Sequence, residues 1–159
     1  MTPHGLDNHA KRKPFLDLSE KNFQMKQIAV LDDDEHWCFS VQRFLRGTFE
    51  VYTFHNPSDL ILKVSQYDLI LVDFSIPPTQ YQQNIDGCEI IQRIKQGLNQ
   101  PPILVLATAF ISVNNLELGK QLCPEADFFI AKDAGLEFIA ATIKQLLSAS
   151  SCHASSLNA

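Results

Sequence analysis

Apolar runs in this 159-residue chain repeatedly stop at a residue that can do chemistry. Ile28-Ala29-Val30-Leu31 stops at Asp32-Asp33-Asp34, and Leu69-Ile70-Leu71-Val72 stops at Asp73. Ile103 to Ala107 ends at Thr108, and the run from Asp127 to Ala131 ends at Lys132. If these ends share one edge of a sheet, carboxylates, a hydroxyl and an ammonium face one another. Two carboxylates about 5 Å apart at an effective dielectric near 20 repel by roughly 3 kcal/mol, so such a crevice must take up a proton or bind a cation. Lys132 neutralises one charge. A hard divalent ion offsets the rest, and Mg2+, which keeps several waters and accepts one or two carboxylates plus a phosphoryl oxygen, suits an open acidic rim. A phosphoryl group arriving there meets a metal, an ammonium and a hydroxyl, the parts that phosphoryl transfer uses. Asp73 is then the nucleophile, and it becomes an acyl phosphate.

The elements between these ends must bring them together. Leu69 to Val72 is a continuous apolar run rather than an alternating one, which marks a strand buried on both faces of a parallel sheet. After the first strand, Asp34 is placed to cap a helix with Trp37, Val41, Phe44 and Leu45 inward and Gly47 past its end. Phe49 to Phe54 reads as a second strand, and Asn56-Pro57 as the cap and first-turn proline of a helix turning Leu60, Ile61 and Val64 inward. A long loop, residues 74–86, carries Pro77-Pro78 before a helix from about Gly87 to Gly97 with Cys88, Ile90, Ile91 and Ile94 on its apolar side. A weaker helix over about Val113 to Leu122 has Leu116, Leu118 and Leu122 as its face and contains Gly119, which costs roughly 1 kcal/mol against alanine. The last helix, about Leu136 to Leu147, turns Ile139, Ala140, Ile143, Leu146 and Leu147 inward.

Strict alternation of strand and helix demands a parallel sheet with helices on both faces, because each right-handed crossover needs a dozen or more residues. The expected fold is α/β and doubly wound, flavodoxin-like, a five-stranded parallel sheet in the order 2-1-3-4-5. In such a sheet the strand ends line one edge, and strands one and three flank the switch point where ligands bind. The expected organisation is one domain, residues 26–148, between a disordered amino-terminal extension, 1–25, and a disordered tail, 149–159.

Composition narrows the function. A formal charge of -5 argues against nucleic acid or an anionic membrane as an electrostatically held partner, and Lys11-Arg12-Lys13 is the one basic triplet. Cys38, Cys88, Cys123 and Cys152 show no Cys-x-x-Cys spacing, which fits reduced thiols in a cytoplasmic protein. No apolar run approaches the roughly 20 residues of a membrane helix. The histidines His4, His9, His36, His55 and His153 lack metal-ligand spacing.

In this order the motifs carry a family resemblance. Leu31-Asp32-Asp33, Tyr67-Asp68-Leu69-Ile70-Leu71-Val72-Asp73, Pro77 with Asp86-Gly87, Ala107-Thr108-Ala109 and Phe129 to Lys132 together resemble a bacterial response-regulator receiver domain of two-component signalling, over about Gln27 to Leu147. The resemblance implies that Asp73 accepts a phosphoryl group from phosphohistidine on a sensor histidine kinase or a histidine phosphotransfer protein, with Mg2+ required. It implies that Asp33 binds the metal directly, Asp32 through water and Ser75 through its main-chain carbonyl. It further implies that Lys132 and Thr108 engage the phosphoryl oxygens, and that Phe129 changes rotamer as Thr108 moves. The face of the fourth helix, fifth strand and fifth helix would then be read by a downstream partner, the protein being a monomer or a phosphorylation-dependent dimer. Two departures stand out: the loop after Asp73 is longer than in most relatives, and Asp133 follows Lys132 where many have proline.

Plainer readings compete residue by residue. Asp34 reads as a helix cap, Trp37 as core at helical spacing, and Phe129 equally as core or switch. The reading carried forward is a single-domain receiver, a phosphorylatable switch acting through protein contacts rather than an enzyme. Its rivals are a receiver-like interaction module that works without phosphorylation and a small Mg2+-dependent aspartyl-phosphate phosphohydrolase. The second lacks the Asp-x-Asp-Gly-Thr loop of haloacid-dehalogenase-like enzymes, since Asp32-x-Asp34 runs on into Glu35-His36.

Overall fold

A computed structural model describes residues 24–78, 85–110, 112 and 116–154, with side chains up to residue 150 except that of Leu116. Strand β1 (Gln27–Leu31) leads into helix α1 (Glu35–Leu45), then β2 (Glu50–Phe54), α2 (Pro57–Ile61), β3 (Leu69–Asp73), α3 (Gly87–Gly97), β4 (Ile103–Thr108), α4 (Leu116–Leu122), β5 (Phe128–Ala131) and α5 (Leu136–Ala154). The sheet is parallel throughout, in the expected order β2-β1-β3-β4-β5.

Period-2 alternation divides each central strand between two cores. Ala29, Leu31, Ile70, Val72, Leu104 and Leu106 face α2, α3 and α4, where Leu60, Ile90, Ile91 and Ile94 pack. Ile28, Val30, Leu69, Leu71, Val105 and Ala107 face α1 and α5, where Val41, Leu45, Ile139 and Ile143 pack. Every residue of β3 is buried, as its unbroken apolar run requires. The caps follow their chemistry. The Asp34 carboxylate accepts the N–H groups of His36 and Trp37, Asn56 accepts that of Ser58 with Pro57 at the first turn, and Asp86 accepts that of Glu89.

Several helix faces differ from the periodic expectation. On α1 the buried set is Cys38, Val41 and Leu45, while Phe44 is exposed. The helix is rotated so that a small thiol, rather than a phenyl ring, fits beneath the β1 end. Helix α2 stops at Ile61, which is exposed, and Val64 reaches the core from a following 3-10 turn, Val64–Gln66. On α4, Leu118 and Leu122 lie at the surface, and Cys123, just past the helix, is the residue buried at its end. Residues 113–115, expected to begin this helix, lie outside the described residues. Helix α5 runs to Ala154, seven residues beyond the expected Leu147, so helix replaces the patternless tail expected from 149 to 154. Ser148 and Ser150 there return their hydroxyls to the carbonyls of Lys144 and Leu146, which a helix permits. The extension expected over residues 1–25 lies outside the described residues up to position 23, and so do residues 79–84 of the long loop.

Gly119 has a packing reason. A Cβ at this position would lie 2.6 Å from Phe129 Cδ1 and 2.8 Å from Cγ, so the bare backbone of α4 is the surface on which the buried Phe129 ring rests. Gly119→Ala gains about 1 kcal/mol of helix propensity but overpacks the ring at a cost of about 1–3 kcal/mol. The expected result is net destabilisation in urea unfolding with Phe129 displaced towards solvent, and a variant as stable as the parent would show that the ring is free to move.

Candidate functional site

Register alone decides which strand ends meet. Leu31 pairs with Val72, so Asp32 and Asp73 close neighbouring strands at the same level. Asp73 pairs with Ala107, which sets Thr108 one residue further out, and Thr108 pairs with Ala131, which sets Lys132 one further still. The staircase rises across β1, β3, β4 and β5, and the four side chains need only reach inward.

Two of the carboxylates are nearly sealed. Asp32 is 1% exposed and Asp73 6%, whereas Asp33 is exposed. Carboxylate oxygens of Asp32, Asp33 and Asp73 all lie within 4.8 Å of one another. The Lys132 ammonium bridges the buried pair, at 2.6 Å from Asp32 Oδ2 and 2.9 Å from Asp73 Oδ1. Asp32 Oδ1 accepts the Asp34 N–H at 3.0 Å, and Asp73 Oδ2 accepts the Ser75 N–H at 3.2 Å. Asp32 Oδ2 meets Lys132 as an ion pair, with no hydrogen bond of good geometry.

Electrostatics reflect this crowding. Burial raises the Asp73 carboxyl above the ordinary 3.8; the Lys132 contact and the Ser75 N–H oppose the rise, and the Asp32 charge adds to it. Burial alone would pull the Lys132 ammonium down, but its contacts with Asp32 and Asp73 win and leave it above the ordinary 10.5. Three carboxylates against one ammonium leave a formal charge of -2, that is -3 plus 1. A divalent cation fits this arrangement on two counts. The donors are oxygens, as a hard ion of Mg–O distance about 2.1 Å prefers. One buried oxygen, Asp32 Oδ2, also has coordinating capacity that Lys132 does not exhaust.

Each remaining expected site residue has a definite place. Thr108 is buried, and its Oγ1 accepts the N–H of Phe110 at 3.1 Å. Ser75 is exposed and meets Asp73 through its N–H. Phe129, paired with Leu106 across β4 and β5, is buried against Gly119. Lys132 opens a 3-10 turn, Lys132–Ala134, and its bond to Asp133 is trans.

Other contacts at the site had no signal in residue spacing. His55 Nδ1 lies 2.7 Å from the Asp32 carbonyl, which can only accept, so this nitrogen carries the proton. The Cys38 thiol, pushed up to about 12 chiefly by burial and next by the Asp32 charge, points to the same carbonyl at 3.7 Å. Trp37, expected in the core, is half-buried and has its ring centroid 4.8 Å from Lys132 Nζ. The rings of Phe74, next to Asp73, and Phe110, two residues past Thr108, meet edge to face at 6.2 Å. Gly87 brings the start of α3 against β3: a Cβ there would fall on the Asp73 carbonyl oxygen, and its N–H donates to Phe74 O at 2.9 Å. A glycine next to an acid was legible in sequence; the reason for it was not.

Comparison with known proteins finds the likeness in structure alone. Neither a family model nor a curated protein matches the chain. A signal receiver domain from Vibrio parahaemolyticus superposes with a TM-score of 0.67 at 16% identity, covering 81% of this chain and 95% of that one. A response regulator receiver domain protein from Methanospirillum hungatei gives 0.65 at 20% identity, covering 81% and 98%. This is the fold of a response-regulator receiver domain. A third receiver, the response regulator TrrA of Thermotoga maritima, gives 0.61 at 24% identity over 77% and 99%, and its structure is a complex with Mg2+ and BeF. In the receiver fold of the present chain, the acidic pocket is Asp32, Asp33 and Asp73 with Lys132. No helix among the described residues is long and apolar enough to cross a membrane.

The charge balance is measurable. Removing one partner of a buried ion pair leaves the other uncompensated, so Lys132→Ala should cost about 3 kcal/mol in urea unfolding with a chelator present. Millimolar Mg2+ should recover part of that loss, since a cation bound only to the folded state stabilises it. A variant whose stability is the same with and without Mg2+ would mean that no cation binds these carboxylates in it. The raised Asp73 carboxyl implies a pH dependence of stability. Its folded pKa lies above the unfolded 3.8, so the folded state binds the extra proton and stability falls as pH rises from about 3.8 through the raised value. At neutral pH, metal-free Asp73→Asn should therefore melt higher than the parent, and a lower melting temperature would reverse the sign of the Asp73 contribution.

Proposed function

We propose that this protein is a phosphoacceptor response regulator, in which Asp73 receives a phosphoryl group from a phosphohistidine of a sensor kinase or phosphotransfer protein. The observation that carries the reading is the Lys132 ammonium held 2.9 Å from Asp73 and 2.6 Å from Asp32, on the edge of a receiver fold. That arrangement gives one carboxylate a reason to react. Asp73 is buried and crowded by Asp32, its Oδ2 is oriented by the Ser75 N–H, and an ammonium stands ready for negative charge on the incoming group. As the bond from an Asp73 oxygen to phosphorus forms, the phosphorus–nitrogen bond of the donor breaks and the imidazole leaves with the electron pair.

Mg2+, when bound, would supply positive charge to the incoming phosphoryl group. Asp32, Asp33 and Asp73 are the side chains to hold it, with the Ser75 main-chain carbonyl as a further oxygen. On this reading the hydroxyl of Thr108, buried one residue beyond the partner of Asp73, binds a phosphoryl oxygen and so changes its bond to the Phe110 N–H. Phe129, resting on Gly119, is the ring whose position follows Thr108, and the surface of α4, β5 and α5 presents the outcome to an effector. The protein on this reading acts in the bacterial cytoplasm and catalyses no turnover beyond its own phosphorylation and dephosphorylation.

Incubation with acetyl phosphate and Mg2+, followed by intact mass measurement, tests the reading. One phosphoryl mass should appear on the parent, and it should be absent from Asp73→Asn and from a chelated sample. A parent that stays unmodified would favour a receiver-like module that works without phosphorylation, and an Asp73→Asn variant that is still labelled would overturn Asp73 as the acceptor.

A further inference from the structure

The Lys132 ammonium is ion-paired with both Asp32 and Asp73. The Trp37 ring stands beside it, with Nζ 4.8 Å from the ring centroid. That distance is inside the roughly 6 Å over which an aromatic face attracts a cation, and the Lys132 side chain is only 14% exposed, so water competes weakly.

The ring does not depend on the lysine for its position. Trp37 donates its backbone N–H to the Asp34 cap at 3.1 Å, which fixes the first turn of α1, and its side chain packs against the α1 and α5 core. Lys132, by contrast, starts a short turn that has no side-chain cap and ends at Gly135 with φ 88°. The tryptophan is anchored by its own helix and core contacts, and the lysine reaches the ring from the turn at the end of β5.

We propose that Trp37 is a positioning residue for Lys132: its ring holds the ammonium over the Asp32 and Asp73 pair and keeps it from swinging into solvent. This rests on the phosphoacceptor reading of Asp73. Of Asp32, Asp73 and Trp37 around Lys132, the ring is the one that neither binds a metal nor reacts, so it steadies the ammonium while the carboxylates change charge and partners. Helical spacing with Val41 and Leu45 also suits a plain packing role for Trp37. Packing alone, however, requires no link to Lys132 and no special value for an aromatic face.

The test compares labelling rates with acetyl phosphate and Mg2+, by intact mass, for the parent, Trp37→Phe and Trp37→Leu, each checked for folding by circular dichroism. Trp37→Leu should slow labelling about fivefold, and Trp37→Phe, which keeps a ring, by no more than about twofold. Trp37→Met replaces the leucine variant if that one does not fold. A second readout is independent of phosphorylation: Trp37 is the sole tryptophan, so Lys132→Gln in metal-free protein should shift its emission intensity or maximum. Equal rates for parent and leucine variant, a phenylalanine variant as slow as leucine, or emission indifferent to Lys132→Gln would each overturn the proposal. If the parent itself is not labelled, the phosphoacceptor reading fails, and with it the positioning role; the emission comparison then decides whether the ring and the ammonium meet at all.

Discussion

Two buried carboxylates share one ammonium at the carboxyl edge of this sheet, and that shortage of positive charge shapes what lies around it. The opposite edge shows what a balanced arrangement looks like. Asp68 accepts the Gln27 N–H at 2.8 Å and pairs with Lys26, and Asp127 accepts the Leu104 N–H at 2.8 Å and pairs with Lys95. Each of those acids caps a neighbouring strand and has a lysine of its own. Their charges are met locally and they sit nearer to water, so their work is structural. Asp32 and Asp73 divide Lys132 between them in a site that is nearly closed, with exposed Asp33 adding to the excess. A cation or a transferable anion that brings its own cation relieves that excess, and this is the physical basis of the proposed chemistry.

Holding like charges together requires backbone that cannot back away. The end of β1 is pinned from two sides, by His55 from the end of β2 and by Cys38 from α1, both directed at the Asp32 carbonyl. The end of β3 is pinned by α3, because Gly87 lets the helix approach to where a Cβ would strike the Asp73 carbonyl. Phe74 and Phe110 then tie the segments after Asp73 and Thr108 to each other. Strain that would separate the carboxylates is opposed by packed, hydrogen-bonded backbone. Lys132 and Phe129 lie on or just after the edge strand β5, which pairs with β4 alone.

Much of this was legible in the sequence, and the failures have a common origin. Strand ends were readable because burial on both faces demands unbroken apolar runs, so a polar stop such as Asp73 or Lys132 is conspicuous. Helix faces were less readable: Phe44, Ile61, Leu118 and Leu122 fit an apolar period yet are exposed. A period constrains a face to within roughly 100°, and a short helix leaves it underdetermined. Cys38 and Cys123 are buried where larger apolar neighbours, Phe44 and Leu122, are exposed. The end of α5 has no apolar period to mark it, because serine and alanine carry little apolar signal although both tolerate a helix.

The order of strands and helices, the handedness of their crossovers, and therefore the meeting of Asp32, Asp33, Asp73, Thr108 and Lys132 on one edge followed from the sequence by itself, since topology and strand register leave no other place for them. Tertiary structure decided what surrounds those groups: that Trp37 lies against the ammonium, that His55 and Cys38 share a carbonyl, and that Gly87 and Gly119 are points of close approach. Those contacts depend on how far each helix is rotated about its axis and how closely it packs on the sheet. Rotation and approach are settled by the fit of two complete cores at once, and no local spacing along the chain encodes that fit.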